Sequence, residues 1–179
     1  MKKPFFAYQL TTSLLLVLAA LTLPLTAYGK AYVASEVELR AFKESDLSYL
    51  QQGHDRIEEL TQKHFGSRLQ GIPDHDLKLL QRLLDDKRVK ASDRRLLQDM
   101  GIVFGGLLQK QFDLKWLIYE DKSGPSRALQ LKHTNNFLFP ITMISRRAET
   151  GLSVDVAGLY EKAIGKIAAY KEAERAKYY

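Results

Sequence analysis

From Ser45 to Gln111 the apolar residues recur at intervals of three and four, whereas from Leu114 to Phe139 they recur at intervals of two. That change of period constrains the fold more than any motif in the chain, because helices and strands bury their apolar residues with different repeats. Leu47, Leu50, His54, Ile57, Thr61 and Phe65 make one helical stripe, closed by Gly66. A second helix is expected from about Asp74, behind Pro73, with Leu77, Leu80, Leu83 and Leu84 on one side. A charged connector, Lys87 to Ser92, leads to a third helix from about Asp93 to Gln111. Its broad apolar arc (Leu96, Leu97, Met100, Val103, Phe104, Leu107, Leu108) marks it as the central helix of the core. Gly101 and Gly105 lie at the border of that arc. Each interior glycine costs about 1 kcal/mol against alanine, so the pair predicts close approach by another backbone.

After the switch, Leu114 to Tyr119 reads as a strand, Lys122 to Ser126 as a turn, Ala128 to Lys132 as a second strand and His133 to Asn136 as a further turn. Phe137 to Phe139 makes a third strand, which Pro140 ends or moves to an edge. Two stretches stay ambiguous: Ala34 to Phe42 (Ser35 and Glu38 as a capping box, or a short strand) and Ile141 to Arg147 (strand or helical turn). Val156, Leu159, Tyr160, Ala163, Ile164 and Ile167 define a closing helix. Strands so close together need hairpins, and hence an antiparallel sheet. The expected fold class is α+β, a single domain of helices packed against about three antiparallel strands, with a closing C-terminal helix.

The N-terminus gives an address. Lys2 and Lys3 precede the apolar core Leu14 to Leu21, Pro24 breaks any helix, and Ala27 and Gly29 supply small residues before Lys30. This is the pattern of a secretory signal peptide over residues 1–29, cut between Gly29 and Lys30. Residues 30–179 are then one exported domain, periplasmic or secreted, that meets the membrane only through the leader if it stays uncleaved. The chain has no cysteine, which removes thiol nucleophiles, Cys-ligated metals and disulfides, so core packing alone must hold the fold. Of the net charge of +6, the leader contributes two, leaving a modestly basic surface.

Sites with familiar spacing are missing. No two of His54, His64, His75 and His133 stand four apart on a helix, so no metal is expected, and Asp74 and Asp76 read as acids in a helix's first turn. Gly101, Gly105 and Gly106 fall within a helix, and the glycine-rich strand-to-helix loop that cradles phosphates is missing, so no cofactor is expected. Gly151-Leu152-Ser153-Val154-Asp155 lacks the second glycine of a nucleophile elbow, and Ser153 reads as a helix-start residue. Glu120 and Asp121 are adjacent on a strand and point to opposite faces, so they form no acid/base pair. Lys87, Arg88, Lys90, Arg94 and Arg95 are interrupted by Asp85, Asp86 and Asp93 without interleaved aromatics, so no nucleic acid is expected.

From Asp76 to about Leu159 the chain resembles a bacterial domain of unknown function, family 3806. The residues that carry the resemblance begin with Asp76-Leu77, Leu79-Leu80-Gln81 and Leu84-Asp85, and continue in the glycine helix Leu97 to Gly105. Leu114-Lys115-Trp116, Glu120-Asp121 and Pro140 to Arg147 complete them in order. The resemblance implies an architecture and no activity.

The expected role is that of a non-catalytic exported domain binding an envelope protein or a small ligand, with an immunity-type inhibitor as its sharper form. An envelope enzyme of hydrolase type, using Asp, Glu, Ser or Arg residues, is the alternative. No catalytic residues are assigned. The candidate binding surface gathers Trp116, Glu120, Asp121, Thr142, Ser145, Arg146 and Arg147, which lie at the ends of apolar elements where a scaffold presents groups to partners.

Overall fold

The computed structural model describes residues 37–178. The leader, its cut at Gly29–Lys30 and the start of the ambiguous Ala34 to Phe42 stretch lie outside the described residues. Chain order is β1 (Glu38–Ala41), α1 (Glu44–Phe65), α2 (Pro73–Asp85), α3 (Arg94–Phe112), β2 (Lys115–Asp121), β3 (Gly124–Gln130), β4 (Phe137–Leu138), α4 (Ile141–Glu149) and α5 (Val156–Arg175), followed by a single 3₁₀ turn. The fold is α+β, with helices on a small antiparallel sheet of order β1-β2-β3-β4. The sheet has four strands rather than about three. The additional strand is β1, which resolves the ambiguous stretch by pairing Glu38 with Glu120 and Ala41 with Leu117. Among the described residues, no helix is long and apolar enough to cross a membrane.

Helix α3 is the centre. Leu97, Met100, Phe104 and Leu108 are fully enclosed, and α1, α2, α4 and the sheet pack around it. Its glycines explain how tightly. A Cβ on Gly101 would stand 2.5 Å from the Ile141 carbonyl oxygen and 2.7 Å from Ile141 Cα, so the backbone of α4 starts directly on α3. A Cβ on Gly105 would meet Pro140 Cγ and Trp116 Cζ2, both at 2.7 Å, which makes side chains rather than a backbone the neighbours there. The indole of Trp116 fills that gap and stacks on Phe42 at 6.0 Å, leaving the residue 8% exposed.

The buried face of helix α1 shares Ile57 and Thr61 with the apolar stripe in its sequence but is turned toward Asp46 and Gly53. Asp46, Gly53, Ile57 and Thr61 are its buried residues, while Leu47 is exposed and the His54 ring is 42% exposed. The cause is Gly53, whose missing side chain lets α3 approach with Asp99 and Ile102, so the crossing is set by a glycine and an acid rather than by the leucines. Gly66, at φ 65°, ends the helix as expected. Ile141 to Arg147 is helical: Ile141, Ile144, Ser145 and Ala148 are buried at helical spacing. Helix α5 is capped by Asp155, which accepts from the Gly158 N–H at 2.9 Å, and not by Ser153. It packs through Val156, Tyr160, Ala163 and Ile167, with Tyr160 edge-on to Phe104 and its hydroxyl donating to Gln111 Oε1 at 2.7 Å.

Candidate functional site

Strand β4 pairs only with Leu129 and Gln130, so among the described residues β3 from Gly124 to Ala128 has no strand on that side. The chain turns away through Phe139 and Pro140 into α4. Between the open edge of β3 and the first turns of α4 lies a cleft of about 500 Å³. Arg127 and Ser126 of β3, Tyr119 and Asp121 of β2, Thr142 and Arg146 of α4, Tyr49 of α1 and Gln98 of α3 line it.

Two buried carboxylates organise the arginines at the back of this cleft. Asp46 is 5% exposed; its carboxylate accepts from Arg127 Nη2 at 2.9 Å, from Arg40 Nη1 at 3.3 Å and from the Lys43 backbone N–H at 3.2 Å. Burial by itself would push the Asp46 carboxyl up, but the Lys43 N–H, Arg40 and Arg127 together outweigh it and hold the carboxyl below its ordinary value. The sheet register explains the geometry, since Arg40, Ile118 and Arg127 form one cross-strand row and both guanidiniums reach the start of α1. Asp99 is fully enclosed and takes a two-pronged bond from Arg56, at 2.8 Å and 3.0 Å, and a third contact from Arg95 at 3.2 Å. The Asp99 bond raises the Arg56 guanidinium further above its usual value, against the opposing effect of burial. Tyr49 joins the two clusters: the Arg127 and Arg95 guanidiniums lie 3.9 Å and 4.6 Å from its ring centre.

Arg127, Arg146 and Asp121 are the charged residues that line the cleft, and Arg127 is paired with Asp46 behind it. Arg127 Nε is buried and has no hydrogen-bond partner among the described residues. A buried donor left unpaired costs about 1–3 kcal/mol. Arg146 is exposed and makes no ion pair among the described residues, although it lines the same cleft. Asp121 Oδ1 accepts from the Ser123 N–H at 2.8 Å and so shapes the β2–β3 turn at the cleft's rim.

Of the seven residues expected to form a binding surface, the fold brings Asp121, Thr142 and Arg146 together in the cleft. Thr142 and Arg146 share a face of α4 because they are four apart. The other four lie elsewhere. Trp116 belongs to the core against Gly105, since the alternation of its strand points it at α3. Ser145 is 2% exposed, on the buried side of α4, and donates to the Thr142 carbonyl. Glu120 is exposed opposite Pro125, and Arg147 donates from Nε to the Ser153 carbonyl at 3.0 Å, tying down the α4–α5 loop. Sequence reasoning missed Arg127, Tyr49 and the carboxylates behind them. Asp46 and Arg127 are 81 residues apart, and no local pattern announces such a pair. The basic run around Arg88 is divided as well, with Arg94 on Glu149 at 2.8 Å and Arg95 on Asp99. Among the described residues, no group of three or more His, Asp or Glu side chains is placed to hold a metal ion.

Residues 76–160 match a domain of unknown function, DUF3806. The matched segment is a little under half of the chain and includes Asp99, Arg127 and Arg146, whereas Asp46 and Tyr49 precede it. No curated protein matches the chain. A crystal structure from Bacteroides thetaiotaomicron VPI-5482 is similar, with a TM-score of 0.65 and 17% identity over 72% of this chain and 47% of that one. The chain thus spans about half the length of that protein, and the likeness is one of fold.

Proposed function

We propose that the chain is an exported binding domain of the cell envelope, and that the arginine-lined cleft takes an anionic group of its partner. The observation that carries the binding reading is the exposed guanidinium of Arg146, without an ion pair among the described residues, in a cleft that Arg127 also lines. A carboxylate or phosphate oxygen satisfies such donors with charge-assisted bonds. Export rests on the leader pattern of residues 1–29, with the mature domain beginning at Lys30. The anion belongs to an envelope protein or a small ligand; an immunity-type inhibitor, whose partner is an exported toxin, is the sharper form of the same role.

The test uses the tagged full chain expressed in a bacterial host. Cell fractionation with N-terminal sequencing should recover a chain that starts at Lys30 in the periplasmic or secreted fraction. Recovery of intact Met1 in the membrane pellet would contradict cleavage. Partners captured from envelope extract by wild-type protein are then compared with those captured by Arg146→Glu. Arg146 is exposed and unpaired, so the variant should keep its melting temperature within a few degrees and lose the partner. Equal capture by both proteins would remove the cleft as the binding site.

A further inference from the structure

The connector between α1 and α2 doubles back, so that Ser67 meets His75 although the two are eight residues apart. Ser67 Oγ lies 3.3 Å from His75 Nε2, and His75 Nδ1 lies 2.8 Å from Asp76 Oδ1. Asp76 is 1% exposed and also accepts the backbone N–H groups of Gln70 at 2.9 Å and Gly71 at 2.8 Å, which fix its carboxylate. The His75 side chain is 30% exposed and Ser67 is half-buried, so solvent reaches both. None of the three lines the arginine cleft.

The hydrogen bonds assign the tautomer. A carboxylate only accepts, so Nδ1 carries the proton and donates to Asp76. Nε2 is then the ring's acceptor, and its one lone pair is shared between the Gln70 amide nitrogen at 3.2 Å and the Ser67 hydroxyl at 3.3 Å. A loop clamp would need only Asp76 and the two backbone N–H groups. It gives no reason for a histidine oriented by that carboxylate, or for a serine on the histidine's far nitrogen. Nucleophile, base and orienting acid in this order are the arrangement that activates a serine.

We propose that Ser67, His75 and Asp76 form a nucleophilic serine site for carboxylic esters. Ser67 Oγ attacks the acyl carbon while its proton passes to His75 Nε2. The protonated ring delivers that proton to the alkoxy oxygen, the carbon–oxygen bond breaks, and the alcohol leaves an acyl group on Ser67. Water then attacks the acyl carbon, His75 takes its proton and returns it to Ser67 Oγ, and the carboxylic acid departs. Asp76 is a positioning residue that holds the tautomer and stabilises the protonated ring.

The purified full chain is incubated with a fluorophosphonate probe, the adduct is mapped by peptide mass spectrometry, and p-nitrophenyl butyrate hydrolysis is followed in parallel. The probe should modify Ser67, Ser67→Ala should abolish both signals, and His75→Gln should slow labelling at least tenfold with an unchanged melting temperature. His75→Gln serves better than an Asp76 variant, which would also release the Gln70 and Gly71 N–H groups. An unmodified Ser67, or equal labelling in His75→Gln, would overturn the proposal. Ester hydrolysis that survives in Ser67→Ala would also overturn it, since the imidazole alone would then be responsible.

Discussion

Gly101→Ala should destabilise the protein, although alanine is the better helix former. Relief of the glycine penalty in mid-helix is worth about 1 kcal/mol. Against it stands a new Cβ placed 2.5 Å from Ile141 O, 2.7 Å from Ile141 Cα and 2.8 Å from Ile141 C. All three are backbone atoms at the start of α4, so no side chain can rotate away and the helix itself must move. Overpacking typically costs about 1–3 kcal/mol, and a rigid backbone neighbour places this case in the upper half, for a net loss of about 1–2 kcal/mol. Gly106 in the same helix is the internal control, because a Cβ there meets nothing within 4 Å. Gly106→Ala should therefore gain up to about 1 kcal/mol. At about 2–4 °C per kcal/mol for a chain of this size, the two melting temperatures should lie about 2–12 °C apart, in opposite directions from wild type. Thermal unfolding by circular dichroism, with urea titrations for the free energies, measures both. A Gly101→Ala protein as stable as Gly106→Ala would refute the packing argument.

Two further predictions concern the carboxylates behind the cleft. Asp46 has a depressed pKa in the folded state, so its stabilisation is present above the ordinary carboxylate range and disappears as pH falls through the folded value; Asp46→Asn should flatten that acid limb in urea melts at successive pH values, and an unchanged slope would contradict the pairing. Asp99→Asn leaves two arginines without a counter-charge, at a cost of up to about 3 kcal/mol because both are partly exposed and can rehydrate; a loss below about 0.5 kcal/mol in urea unfolding would mean that the Arg56–Asp99 bond does not hold α1 to α3.

The parts of the fold that the sequence revealed are those whose reasons are local. Helices α2 and α3 show their stripes within a few turns, and the β2–β3 hairpin carries its own turn residues. Strand β1 is only four residues long and pairs with a partner some eighty residues away, so its alternation is too short to decide. Helix α4 has nine residues with Pro140 in front, and so brief an apolar run fits either period until α3 covers it. The face of α1 was legible at Ile57 and Thr61, but its turn toward Asp46 and Gly53 was not, because a glycine leaves no mark in an apolar stripe. In the cleft, Asp121, Thr142 and Arg146 could be picked as groups at the ends of apolar elements. Arg127 takes its meaning from an acid at the far end of the domain's sequence. The Ser67–His75–Asp76 contact escaped for a related reason: matching residues along one helix face never pairs α2 with the connector before it.

The contact between Gly101 and Ile141 also bears on how the anion proposed for the cleft would be held. With its first residue pressed into a gap that no side chain could share, α4 has no room to roll, and Thr142 and Arg146 keep their places whether the cleft is empty or filled. Binding then orders little of the protein beyond the Arg146 side chain, whose rotamer freedom is worth about 2 kcal/mol. With so small an entropic loss, affinity depends chiefly on exchanging water for anion at two guanidiniums, a balance that rising ionic strength tips toward release.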